Sequence, residues 1–149
     1  MGIGHAFSFL YRRLWGTCPI PIVPIMLNTY FPPNTPSPIR CHRLGQAVRA
    51  SIEQWTGGKR VAIMASGGLT HVLVDEVLDR QVLDALEAND PALIRALPRE
   101  QLVGGTSEGL NWVAAAGALG PLKMELIDYI PAYRSNKGSG CALTFARWQ

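Results

Sequence analysis

The chain has 149 residues, 48% of them hydrophobic and 17% charged, with a formal net charge of +3. That is enough for one domain with a real core, and it excludes a disordered tail, a low-complexity repeat and a bundle of membrane spans. Positive charge gathers early, where Arg12, Arg13, Arg40, Arg43, Arg49 and Lys59 are opposed only by Glu53; this reads as a solvated surface or a mild attraction for anionic small molecules, and the lack of interleaved aromatics argues against nucleic acid.

Phe7, Leu10, Tyr11 and Leu14 fall at helical spacing, so a first helix is expected just after His5, ended by Gly16. Arg12 and Arg13 interrupt the apolar residues there, unlike a signal peptide, and the expected location is cytoplasmic. Cys18, Cys41 and Cys141 agree, being odd in number, widely spaced and without a CxxC pair, as free thiols would be. Ile20 to Leu27 alternates and reads as an edge or irregular strand because of its prolines. A proline-rich loop follows from Asn28 to Pro38.

Ser37-Pro38 starts a helix whose apolar stripe is Leu44, Val48, Ile52 and Trp55, with Gly57-Gly58 as the stop. His42 on this helix reads as a surface residue, and Trp15, Trp55 and Trp112 read as core. Arg60 to Ala65 is a short apolar run with no polar face, as in a central strand buried on both sides. Ser66-Gly67-Gly68 then turns the chain and delivers Leu69, Thr70 and His71 beyond the strand's carboxyl end.

Leu78, Val82 and Leu86 define the next helix, and Asp90-Pro91 opens a short one through Leu97. Thr106 or Ser107 caps another helix through Trp112 to about Ala118. Leu122 to Ile130 and Cys141 to Phe145 read as strands, with a loop from Arg134 to Gly140. Helices alternating with strands indicate an α/β layered fold, a mixed sheet flanked by helices, in one domain over residues 1–149.

Three residues stand out for chemistry. His71 lies where ligand sites collect in open α/β sheets, and suits general acid/base work; a histidine hydrogen-bonded within its loop is the equal alternative. Glu108 is either a metal-ligating carboxylate or an acid favoured at a helix N-terminus by the macrodipole. His5, close to the start of the chain, carries the weakest signal. Ser66-Gly67-Gly68 suggests a phosphate cradle only faintly, since it has neither GxGxxG spacing nor the Walker lysine.

The strings GHAFSF, PIPIVPIMLNTYFPP, RCHRLGQAVR, RVAIMASGGLTH, LDRQVLDALEANDPALIRAL, GTSEGLNWVAAAGAL and IDYIPAYRSNKGSG, in this order and spacing, run over nearly the whole chain. Together they resemble the catalytic B-type subunit of the class III extradiol ring-cleavage dioxygenases, the family of protocatechuate 4,5-dioxygenase and its gallate-cleaving relatives, over the C-terminal half of that subunit. The resemblance implies a non-haem Fe(II) enzyme that puts both atoms of O₂ into a catecholic ring with extradiol cleavage. It implies Glu108 as the iron-ligating glutamate, His71 as the acid/base histidine and His5 as the second active-site histidine, with Gly4 where the family has an aspartate. It also implies that the two iron-ligating histidines belong to an N-terminal half that this chain lacks, so that an N-terminal half or second subunit in trans, and an oligomer, are the expected partners. In the implied reaction His71 takes a proton from a substrate hydroxyl, and His71 or His5 acts as acid in the rearrangement. Thr70 and Tyr133, with neighbouring Arg134, are candidate substrate contacts. The alternative is a truncated or non-catalytic relative that keeps the fold as an interaction module.

Overall fold

The computed structural model describes residues 4–16 and 20–149; Cys18 and Pro19, and with them part of the expectations about thiols and about the first apolar run, lie outside the described residues. Helix α1 (His5–Leu14) buries Tyr11, and Gly16, at φ +73°, ends it by donating its N–H to Arg12 O. Leu14 and Trp15 stay exposed.

Helix α2 (Pro38–Gln54) begins with proline at its first turn, as expected, although Ser37 makes no side-chain cap. Its buried face is not the apolar stripe. Cys41, His42 and Gly45 point inward, whereas Leu44, Val48 and Ile52 are half-buried and Trp55 is exposed. The reason is the closeness of α5 (Gly109–Leu119). A Cβ on Gly45 would lie 2.0 Å from Ala114 O, and one on Gly117 would lie 2.1 Å from His42 O. Only residues without a side chain allow the two backbones to meet so tightly.

His42 is therefore buried rather than on the surface. Its Nε2 donates to Asn89 Oδ1 (2.8 Å), while Asn89 Nδ2 donates to Gly120 O (2.8 Å). Asn89 sits at φ +47° as the left-handed cap of α3 (Glu76–Ala88), so one amide ties together the ends of three helices. Burial of Cys41 in the same layer pushes its thiol up to about 11.

Leu78, Val82 and Leu86 of α3 are buried as their spacing predicts, and α4 (Pro91–Ala96) adds Ile94. Both helices start on aspartate caps: Asp75 accepts from the Val77 and Leu78 amides, and Asp90 from that of Ala92. These side chains meet Leu110, Trp112 and Val113 of α5, and Met124 and Ala142 of the sheet, in one core.

The class is α/β, and all the strand pairings are antiparallel. The sheet runs β1 (His71–Leu73), β3 (Ser139–Trp148), β2 (Met124–Tyr133). The β2–β3 hairpin carries a bulge between Leu126 and Asp128, which leaves Ile127 turned out to solvent. Of the strands expected at Leu122 to Ile130 and Cys141 to Phe145, the first begins later and runs on to Tyr133, and the second is longer at both ends. Two other expected strands do not form. Residues 20–27 form no ladder, as fits Pro21 and Pro24, which have no N–H to give. Residues 60–65 likewise form no ladder, with Val61 47% and Met64 51% exposed, so the anticipated central strand has no neighbour among the described residues.

Candidate active site

The Ser66-Gly67-Gly68 turn is held against the start of α5. Trp112 Nε1 donates to Gly67 O (2.9 Å), and Asn111 Nδ2 donates to Ser66 O (3.2 Å). Gly67 takes φ +130°, and a Cβ there would lie 2.7 Å from Glu108 Oε2. The missing side chain is what lets the glutamate lie over the turn. Gly68 N–H then donates to Glu108 Oε2 at 3.0 Å. Glu108 itself is at the junction where the 3₁₀ turn Gly104–Glu108 becomes α5, one residue before that helix rather than inside its first turn.

The same turn aims His71. Its backbone N–H donates to Thr106 Oγ1 (3.1 Å) and its ring Nδ1 lies 2.8 Å from Leu69 O. A carbonyl oxygen only accepts, so Nδ1 carries the proton, and a neutral ring presents a lone pair at Nε2. That nitrogen is 3.5 Å from Glu108 Oε2, with the His71 side chain 24% and the Glu108 side chain 41% exposed. Gly105 packs against the imidazole so closely that a Cβ there would lie 2.7 Å from His71 Cβ. A base and an acceptor carboxylate thus share a partly open surface, each held by backbone rather than by a flexible side-chain partner.

The other expected site residues are placed differently. Thr70 is buried, and its hydroxyl is committed to Asp79 (2.8 Å). Tyr133 is half-exposed and donates to Glu76 Oε1 (2.5 Å), which raises its phenol above the ordinary range. His5 is exposed on the first residue of α1, and no hydrogen bond or ion pair among the described residues joins it to His71 or Glu108. Cys141, opposite His71 in the sheet, has its thiol raised by burial and then by the charges of Glu108 and Asp79. Asp79 was not anticipated as a site residue. Its signal was present: with Val82, Leu83 and Leu86 it occupies the i, i+3, i+4, i+7 positions of a buried stripe, where an acid is out of place.

Among the described residues no group of three His, Cys, Asp or Glu is arranged to hold a metal ion. A groove of about 170 Å³ lies between the end of α2, residues 61–63 and the end of α5, and neither His71 nor Glu108 lines it.

The family model described as the catalytic LigB subunit of aromatic ring-opening dioxygenase matches residues 2–144. This chain belongs to the LigB family. Gallate dioxygenase of Pseudomonas putida is 34% identical over 112 residues, which are 68% of this chain and 32% of that relative. The match to this LigB-family chain therefore covers about a third of the length of the curated relative. No solved structure matches it significantly. Among the described residues no helix is long and apolar enough to cross a membrane.

Proposed function

We propose that this chain supplies the proton-handling part of an extradiol dioxygenase that opens a catecholic ring such as gallate or protocatechuate with O₂. The observation that carries the reading is the His71–Glu108 pair, with Nε2 left as the acceptor by the Nδ1–Leu69 hydrogen bond. In this reading His71 Nε2 takes a proton from a substrate hydroxyl, as a general base held in reach of its proton does. Glu108 is the single carboxylate ligand that this chain offers to Fe(II); the two remaining histidine ligands come from an N-terminal half or second subunit. His5 is the second active-site histidine once that partner is docked, and Tyr133 borders the substrate's remaining substituent.

The unpaired apolar run at 60–65 supports a partner in trans, since exposed apolar side chains on backbone without ladder partners form a surface suited to being covered. Free Cys41 and Cys141 fit a reducing, cytoplasmic setting. The incomplete donor set favours one second reading, a non-catalytic relative that keeps the fold as an interaction module.

The test combines the chain with Fe(II), a catechol and a separately expressed N-terminal half from a LigB-family enzyme, and follows the yellow absorbance of ring-opened semialdehydes. Turnover is expected with both pieces and not with either alone. His71→Ala should lower kcat by about 10²- to 10⁴-fold. Absence of turnover when the halves demonstrably associate would leave the interaction module as the surviving reading.

A further inference from the structure

We propose that Asp79 is a positioning residue for His71, acting through the one peptide group that joins Leu69 to Thr70. The N–H of that peptide donates to Asp79 Oδ1 at 2.9 Å, and its carbonyl accepts from His71 Nδ1 at 2.8 Å. Carboxylate, peptide and imidazole form a single hydrogen-bonded line. Bonds in such a line polarise one another: electron density pushed onto the carbonyl by the acceptor at the N–H end strengthens the bond at the other end. Asp79 therefore does at one remove what a carboxylate bonded directly to Nδ1 does elsewhere, which is to choose the tautomer and fix the ring plane.

The surroundings of Asp79 fit this use. It is fully buried on α3, and no ion pair to it forms among the described residues. A carboxylate in that position costs several kcal/mol of desolvation unless donors meet it. Three do. Besides the Thr70 amide, Thr70 Oγ1 donates to Oδ2 at 2.8 Å and Tyr129 OH at 2.7 Å. Thr70 Oγ1 in turn accepts from the Asp75 amide at 3.1 Å. Burial and then the bond to Asp79 hold the Tyr129 phenol well above its ordinary range, so it remains a donor. Two of the three donors belong to the residue next to His71, so the acid is engaged chiefly with the loop, and Tyr129 of β2 supplies the third. The strands close the arrangement: Ala142 O accepts from Leu69 N–H, and Ala142 N–H donates to Thr70 O.

This inference rests on the role given to His71 above, but its test needs neither iron nor substrate and so can fail separately from the dioxygenase reading. Imidazole ¹⁵N shifts of the full chain are recorded at a pH well above the ordinary histidine range, where the neutral ring reports its tautomer. Wild type is expected as the Nδ1–H form, with the Thr70 amide proton shifted downfield and protected from exchange. Asp79→Asn should lower the ratio of Nδ1–H to Nε2–H by at least about threefold. Tyr129→Phe, which removes a donor from the acid but leaves the line intact, should keep the wild-type tautomer. A folded Asp79→Asn protein with unchanged ring shifts would overturn the proposal. So would a wild-type ring in the Nε2–H form, an outcome that decides the matter even if Asp79→Asn does not fold.

Discussion

Residues 60–65 and residues 69–71 are near neighbours in the chain; the first reads as a central strand, and the second as the segment delivered beyond that strand's carboxyl end. The first has no strand beside it among the described residues and half-exposes Val61 and Met64. The second is pinned on every side, by Ala142, Asp79 and Thr106, with Gly105 packed against the imidazole. What separates them is the source of their partners. Every group that fixes 69–71 lies C-terminal to it within this chain, whereas nothing among the described residues pairs with 60–65. Local order at the site therefore does not depend on the unfinished edge beside it.

Several substitutions would break or sharpen that contrast. The largest effect is expected at the helix crossing that supports the ordered side. Gly45→Ala drives a methyl into Ala114 O and should cost at least about 3 kcal/mol in urea unfolding, or prevent folding. A cost below about 1 kcal/mol would mean that α2 and α5 are not so tightly apposed.

Cys41 tests the same layer through pH. Its folded-state value is raised from 9.0 to about 11, so the folded state holds the thiol proton more tightly than the unfolded state. The stabilisation is complete below pH 9.0 and is lost as pH climbs toward about 11, by roughly 2–3 kcal/mol at 1.36 kcal/mol per unit. Cys41→Ala should remove most of that alkaline loss, as measured by chemical denaturation across the interval.

Val72, immediately after His71, sits at φ +72°, a backbone conformation that a β-branched side chain adopts only under strain. Val72→Asn should raise stability by about 1 kcal/mol in thermal unfolding, because asparagine tolerates that region. A loss of stability would show that the exposed valine makes a contact that offsets the strain. At 60–65 the smallest change is expected. Met64→Lys should alter monomer stability by less than about 0.5 kcal/mol, while reducing self-association in analytical ultracentrifugation. A large destabilisation there would place this run in a core after all.

The helices were legible because their determinants are local: aspartate and proline at the starts of α3 and α4, and apolar spacing along α3. Residues 60–65 were misread because an apolar run specifies burial without specifying the partner that provides it. His42 was misplaced for a related reason. The inward face of α2 is marked by Gly45 and Cys41, small residues that contribute little to an apolar stripe, and the large ones lie to the side. Of the site, spacing alone left His71 and Glu108 open to structural readings; the family resemblance named both, and the fold brings them to 3.5 Å. The peptide-mediated line to Asp79 was beyond reach, since it depends on which end of one peptide group faces which side chain.

The glycine crossing of α2 and α5 has one further consequence. Gly117 is clamped to His42 near one end of α5, and Glu108 leads into the other. Nine residue steps along α5 separate them, a rod of about 14 Å at the usual rise. A rod held at both ends acts as a spacer: the glycine crossing fixes one end, and the bonds of Asn111 and Trp112 to the 66–68 turn fix the other. Play between the two glycines would be set against those bonds and would strain the seating of the carboxylate. The manufacturing tolerance of the candidate site is thus set in part at a contact far from it, by two residues whose contribution is to take up no room.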